Sequence, residues 1–187
     1  MSYFPLYLNL ETKKILLIGG GNIAYEKLKK LLQFTKNINL LAKEFNEDIS
    51  LEIKKHSLKY VKKEYKKGDI DGFDIVIVAI DDILLQEEIF KESRDKKILV
   101  NCVDNINFCD FIFPSIIKEE DLIISISTSG ASPAFSKELK IYIKNRLPKD
   151  INIFLKHLKT LRNRLPKGKK RMEFLKKVVK EYFDSNK

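Results

Sequence analysis

The chain is poor in cysteine, histidine, glycine and proline and contains no long apolar run. Two cysteines, Cys102 and Cys109, do not make a disulfide framework in a chain of 187 residues, which is large enough to bury a real core. Such cysteine usage fits a reducing compartment. His56 and His157 are the only histidines and neither cysteine belongs to a C-x-x-C pair, so no zinc or iron-sulfur ligand set is expected. Any metal chemistry would rest on carboxylates or on the substrate itself. With 7 glycines, 5 prolines and 44% apolar residues the chain is neither fibrous nor disordered. No stretch approaches the roughly 20 apolar residues of a transmembrane helix. The opening MSYFPLYLNLETKK has no basic start leading into a long apolar core, so no export signal is expected. These absences together lead us to expect a soluble cytoplasmic protein with no membrane partner.

What the sequence has in excess is positive charge, and it is unevenly placed. There are 36 Lys+Arg against 26 Asp+Glu, a formal net charge of +10. Residues 1–136 carry 19 basic and 21 acidic side chains, while residues 137–187 carry 17 and 5. The surplus is therefore a property of the C-terminal quarter.

Hydrophobic periodicity predicts an α/β fold. Short apolar runs at Lys14–Ile18, Ile38–Leu41, Leu58–Val61, Asp74–Ile80 and Ile98–Cys102 alternate with helical patterns at Asn22–Phe34, Asn46–Lys55 and Leu84–Glu92. Five such runs imply a doubly wound parallel sheet. Past residue 110 the rhythm shortens: Phe111–Phe113, Ser115–Ile117 and Leu122–Ser127 indicate a small strand-rich segment around the acidic turn Glu119-Glu120-Asp121. From Ser132 the pattern is helical, with Ser132 as a cap and Pro133 at the first position. Pro148 and Pro166-Lys167-Gly168 divide three helices, the second carrying Ile151, Phe154, Leu155, Leu158, Leu161 and Leu165 on one stripe and the third covering Lys169–Phe183.

The segment KILLIGGGNIA sets Gly19, Gly21 and Ala24 in a G-x-G-x-x-A pattern between strand and helix. Gly19 permits the tight turn, Gly21 a close approach of backbone amides to a pyrophosphate, and Ala24 close helix-strand packing. The motif alone leaves two readings open, a dinucleotide site or a structural turn. At the end of the second strand, Ala42 stands where a ribose-binding acid is expected, followed by Lys43 and Glu44. Lys43 could face a 2′-phosphate or solvent, so the residues by themselves leave NAD and NADP open.

Three stretches, FPLYLNLETKKILLIGGGNIAYEKLKKLL, VNCVDNINFCDFIFPSII and LIISISTSGASPAFSKELK, together resemble the precorrin-2 dehydrogenase and sirohydrochlorin ferrochelatase family of siroheme synthesis. The likeness covers about residues 3–147 in one order and at the family's spacing. It implies a Rossmann domain over 1–113 that binds NAD, a dimerisation segment over 114–147 and a basic helical domain over 148–187. The implied reaction is oxidation of precorrin-2 to sirohydrochlorin, with ferrous iron insertion as a second activity of some members. The resemblance also implies that Asn22, Ile23, Lys43 and Glu44 join Gly19 and Gly21 around the cofactor and that Asp104 is catalytic. Thr128, Ser129, Gly130 and Ser132, in a serine/threonine and glycine-rich turn before a helix, would hold substrate carboxylates. Some relatives carry a phosphorylated serine at the position of Thr128, and the threonine leaves that regulation open. A homodimer is implied, and methylation of the tetrapyrrole precursor would belong to another protein.

The chemistry of these residues is consistent with that assignment. Dehydrogenation sends a hydride to nicotinamide and a proton to a base, which a carboxylate such as Asp104 can be. Read without the resemblance, Asp104 is a turn cap in the run Asp-Asn-Ile-Asn. Cys102 and Cys109 read as small packed residues, and Asp81-Asp82 as a strand-end pair facing the cofactor. A different class, an NAD(H)-sensing regulator that binds nucleic acid through the basic helices, is favoured by the charge. Against it, residues 137–187 lack a helix-turn-helix signature. If the substrate is a polycarboxylate tetrapyrrole, the basic helices have an anion to attract without any nucleic-acid partner.

Overall fold

The computed structural model describes residues 3–103 and 105–186. These form two compact units, 3–112 and 113–186.

The first unit is a five-stranded parallel sheet in the order β3-β2-β1-β4-β5. Its strands are β1 (Ile15–Ile18), β2 (Ile38–Ala42), β3 (Lys59–Lys62), β4 (Ile75–Val78) and β5 (Leu99–Cys102), connected through α1 (Asn22–Leu32), α2 (Glu47–His56) and α3 (Ile83–Asp95). β1 and β4 are buried at every position, which explains their unbroken apolar runs. Alternate residues divide the core between the two faces of the sheet. Leu16, Ile18, Leu41, Val76, Val78, Val100 and Cys102 share one cluster with Ile70, Ile89 and Ile98. Ile15 and Leu17, equally buried, point to the other face. β3 is an edge strand whose residues Lys59–Lys62 are all exposed, and its lysines suit an edge that must not pair with another chain.

Local hydrogen bonding explains where the elements depart from the periodicity. The third strand begins at Lys59 rather than Leu58 because α2 ends in a left-handed Ser57 (φ 53°), after which Leu58 N–H returns to Ile53 O at 3.0 Å. α3 starts one residue before its apolar pattern because Asp82 caps it, accepting from Leu85 N–H at 3.0 Å, and it runs on to Asp95. Phe111–Phe113 is not a strand. This segment is drawn back against β5, where Asn101 Nδ2 donates to Phe111 O at 2.8 Å and Asp110 N–H to Val100 O at 2.8 Å.

In the second unit β6 (Ser115–Glu119) and β7 (Leu122–Ile126) form an antiparallel hairpin on which α4 (Pro133–Lys144) packs. Ser132 accepts from Phe135 N–H and Pro133 opens the helix. α5 (Ile151–Arg164) stops at an extended Leu165, as the following Pro166 requires. It packs against α6 (Lys169–Ser185) through a stacked Phe154–Tyr182 pair with ring centroids 3.7 Å apart. The acidic turn of the hairpin is matched by lysines: Glu119 with Lys144 at 2.9 Å, Glu120 with Lys156 at 2.7 Å and Asp121 with Lys159 at 3.3 Å. No helix among the described residues is long and apolar enough to cross a membrane.

One ion pair fixes the segment that follows β5. Arg94 grips both carboxylate oxygens of Asp110, at 2.8 and 2.6 Å, and Asp110 Oδ2 also accepts Val100 N–H at 2.8 Å. Despite the burial that opposes it, this bonding holds the Asp110 carboxyl below its ordinary value. A carboxyl depressed on folding stabilises the fold above its unfolded pKa of about 3.9, and that contribution disappears as pH falls through the lower folded value. Asp110→Asn is expected to cost about 1–2 kcal/mol at neutral pH. Thermal melts of both proteins from pH 7 downward should show the gap closing below about pH 4. A gap independent of pH would mean that the charge is not what holds the segment.

Candidate functional site

A cleft of about 720 Å³ opens at the carboxyl edge of the sheet, beside the point where the strand order turns from β1 to β4. Dinucleotide-binding folds place their ligand at such a switch point. The cleft is lined by the Gly19-Gly20-Gly21 turn, by residues 41–46 at the end of β2 and in the loop beyond, by residues 63–65 after β3, and by Ile80, Asp82 and Leu85 after β4.

The three glycines answer to different constraints. Gly19 has φ 130°, and a Cβ there would lie 2.3 Å from Ala79 O. Gly20 is pressed against the β2–α2 loop, with Glu44 O 1.8 Å from the place a Cβ would take. Gly21 has an ordinary φ of −95° and nothing within 4 Å of that place. The first two are therefore glycine for packing. The third leaves open space at the start of α1, and no side chain caps that helix. An uncapped helix N-terminus with open space before it is what a pyrophosphate needs. Ala24, fully buried on α1, keeps the helix close to the sheet. The turn is tied down by Gly19 N–H to Leu41 O at 2.9 Å and Asn46 N–H to Gly20 O at 2.9 Å.

The residues singled out by sequence fall in several places. Gly19, Gly21, Lys43 and Glu44 line the cleft. Asn22 accepts a hydrogen bond from Asn46 Nδ2 at 3.1 Å and so stands beside the lining residue Asn46, while Ile23 is 48% exposed on the first turn of α1. Asp104 lies outside the described residues. Its neighbours are fixed at the same sheet edge, Val103 by its N–H to Val78 O at 2.9 Å and Asn105 as the cap of the 3₁₀ turn Ile106–Phe108. Thr128, Ser129, Gly130 and Ser132 belong to the second unit. The Thr128 hydroxyl accepts Ser132 N–H at 3.1 Å and lies 3.2 Å from Ser132 O, and the Ser132 hydroxyl caps α4. Both hydroxyls thus have structural partners. Gly130 (φ 91°) and Ser129 (φ 52°) carry the turn's left-handed backbone. Of the carboxylate pair, Asp82 caps α3 and lines the cleft.

Sequence reasoning missed Gly20, Asn46 and the post-β3 residues Lys63 and Glu64. Asn46 carries a readable signal, an N-cap three residues before Ile49, whose N–H it accepts at 2.9 Å. Lys63 and Glu64 reach the cleft only through strand pairing. Lys43 Nζ sits 2.5 Å from Glu64 Oε1, and Lys63 Nζ 2.5 Å from Asp69 Oδ1. The shared hydrogen bond raises the Lys43 pKa and lowers that of Glu64. Cys102 is buried, which pushes its thiol up to about 12, and burial also raises that of Cys109. Neither has the thiolate character of a nucleophile. Among the described residues no three His, Cys, Asp or Glu side chains converge to hold a metal ion.

The glycine geometry separates fold from binding. Gly20→Ala should lower stability by at least about 2 kcal/mol, because the methyl collides with a backbone carbonyl. Gly21→Ala should melt close to the wild type yet lose about tenfold or more in dinucleotide affinity, because its methyl enters the ligand's space. Differential scanning fluorimetry and isothermal titration with NAD check both; a Gly21→Ala variant that binds normally would remove the pyrophosphate from this turn.

Comparisons with known proteins place a nicotinamide-nucleotide-binding family over the first unit. The NAD(P)-binding family NAD_binding_7 matches residues 6–115. A siroheme synthase of Buchnera aphidicola subsp. Acyrthosiphon pisum is 33% identical over 79% of this chain and 31% of its own length. Siroheme synthase 1 of Klebsiella pneumoniae is 31% identical over 99% of this chain and 40% of its own. The chain thus spans about a third of the length of the curated relatives it matches. Among solved structures, SirC, a precorrin-2 dehydrogenase, superposes with a TM-score of 0.77 at 25% identity, covering 95% of this chain and 89% of SirC. The reading as a nucleic-acid-binding regulator finds no support in these relatives. With the Rossmann-type sheet, the glycine turn and these matches in agreement, the chain belongs to the precorrin-2 dehydrogenase and sirohydrochlorin ferrochelatase family and carries the NAD(P)-binding module along which it is similar to the siroheme synthases.

Proposed function

We propose that the chain oxidises precorrin-2 to sirohydrochlorin in siroheme synthesis, with NAD as the oxidant. The observation that carries this reading is a cleft built for a dinucleotide on a chain that resembles a precorrin-2 dehydrogenase over 95% of its length. The residues fit the cofactor: open space at Gly21 and an uncapped α1 suit a pyrophosphate. Gly19, Gly21 and the first-turn amides of Asn22 and Ile23 would hold that group, with Lys43 and Glu44 flanking the adenosine ribose. NAD, when bound, accepts the hydride. Among the described residues, three carboxylates, Glu44, Glu64 and Asp82, line the cleft against two cations, Lys43 and Lys63, and no arginine does. That balance supports NAD over NADP, whose 2′-phosphate brings up to about two more negative charges.

The proton goes to a base, and Asp104 is assigned that role. It follows β5 by two residues in the sequence, within the Asn101-Cys102-Val103-Asp104 stretch that carries the resemblance. The same carboxylate can accept pyrrole protons as ferrous iron, a second substrate, enters sirohydrochlorin. In the second unit the Ser129-Gly130 backbone, together with Thr128 and Ser132, is assigned to substrate carboxylates. The basic helices contribute a field that attracts the polyanion. A homodimer is proposed as well: β6 and β7 form a two-stranded sheet, marginal on its own, and α4 leaves Phe135 58% and Ile141 45% exposed.

Purified protein given precorrin-2 and NAD should produce NADH together with the sirohydrochlorin spectrum. Asp104→Ala should lose about a hundredfold or more in kcat while still binding NAD in a direct titration. Full turnover by that variant would strip Asp104 of its role. Metal insertion is read separately, with sirohydrochlorin and ferrous iron supplied and no NAD. Replacing Arg162, Arg164 and Lys167 by glutamine should raise KM for precorrin-2 several-fold, with the NAD affinity as internal control. An unchanged KM at low salt would make these cations a solvated helix face and nothing more.

A further inference from the structure

We propose that Glu64 sets the cofactor selectivity of this cleft by holding the Lys43 ammonium out of service as a ligand for a 2′-phosphate. The inference rests on the reading of the cleft as an NAD site and names the residue through which that site would tell NAD from NADP.

Dinucleotide folds recognise the adenosine ribose at the end of the second strand, where an acid selects the 2′-hydroxyl and a cation accommodates the 2′-phosphate. Here the second strand ends in Ala42, which can do neither, and the next residue is a lysine. Taken alone, Lys43 makes this a site that would welcome NADP. The carboxylate that alters this comes from the neighbouring strand. Ala42 pairs with Lys62 across β2 and β3, and Lys63 N–H bonds Ala42 O at 2.9 Å. That register brings the two post-strand loops side by side and sets Glu64 Oε1 2.5 Å from Lys43 Nζ.

Both side chains are largely exposed, 72% for Lys43 and 67% for Glu64, so the pair adds little to stability. Its effect is on what the lysine can do for a ligand. A 2′-phosphate that recruited Lys43 would have to separate it from Glu64 and then lie beside the unpaired carboxylate. The other cation among the described residues of the cleft offers no substitute, because Lys63 is engaged by Asp69 at 2.5 Å. A free ribose 2′-hydroxyl meets none of these costs and can donate to either oxygen of Glu64 or Glu44.

The test is isothermal titration of NAD and NADP, at low and high salt, into the full chain as wild type, Glu64→Gln, Lys43→Gln and the double variant. Glu64→Gln is expected to raise the NADP-to-NAD affinity ratio about fivefold at low salt, the order of one exposed charge contact. The gain should shrink at high salt, where exposed charges are screened. It should be absent from the double variant, because the lysine is the group released. An unchanged ratio in Glu64→Gln overturns the inference while leaving the cofactor reading intact. A gain that persists without Lys43 also overturns it, since Glu64 would then act by direct repulsion alone. Wild-type protein that binds neither nucleotide overturns the cofactor reading, and this inference with it.

Discussion

Two backbone carbonyls at the carboxyl edge of the sheet leave no room for a side chain, and the site depends on that. Ala79 O lies against Gly19 and Glu44 O against Gly20, each closer than any Cβ could approach. The first contact brings the chain after β1 onto the chain after β4. The second brings it onto the loop after β2. Because the sheet is parallel, all three strands release their loops on the same side, and the glycines let those loops converge. Gly21 can then face open space at the start of α1 rather than fill a packing contact. Packing and binding are thus assigned to adjacent residues of one tripeptide, so a tightly fixed turn can present an unobstructed helix terminus.

The parts of this arrangement that are local in sequence could be read from it. KILLI and DIVIVAI announce buried strands, G-x-G-x-x-A announces the turn, and Ser132-Pro133 announces the start of α4. What could not be read depends on register. Glu64 is two residues past an exposed edge strand and twenty-one from Lys43, and nothing in its neighbourhood marks it until β2 and β3 are paired. Gly20 is similar: the pattern treats the middle position as free, whereas the carbonyl of Glu44 makes it the tightest of the three. Thr128 adds a local partner that the motif does not announce: the fold bonds its hydroxyl to the Ser132 backbone four residues on, as polar turn residues often do.

Positive charge in the second unit is also reapportioned by folding. Counted in sequence, residues 137–187 are a uniformly cationic stretch. In the fold, the hairpin turn takes up Lys144, Lys156 and Lys159 one by one with Glu119, Glu120 and Asp121. Exposed pairs of this kind contribute little stability. They do, however, remove those three lysines from the surplus at short range. No acid occurs between Asp150 and Glu173, and within that stretch Arg162, Arg164 and Lys167 come together where α5 gives way to α6. Arg171 is bound there to the carbonyls of Arg162 and Leu165, which spends its hydrogen bonds but not its charge. A field concentrated at one helix junction attracts an anion more strongly at close range than the same charge spread along three helices, because salt screens beyond about 8–10 Å. The first unit is neutral in its sequence, and the lysines among the described residues that line its cleft, Lys43 and Lys63, are each matched by an acid. On the proposed function, attraction of a polycarboxylate substrate and selection of a nucleotide without a 2′-phosphate would call for opposite local charge, and the chain keeps its cationic surplus and its cleft carboxylates in different units.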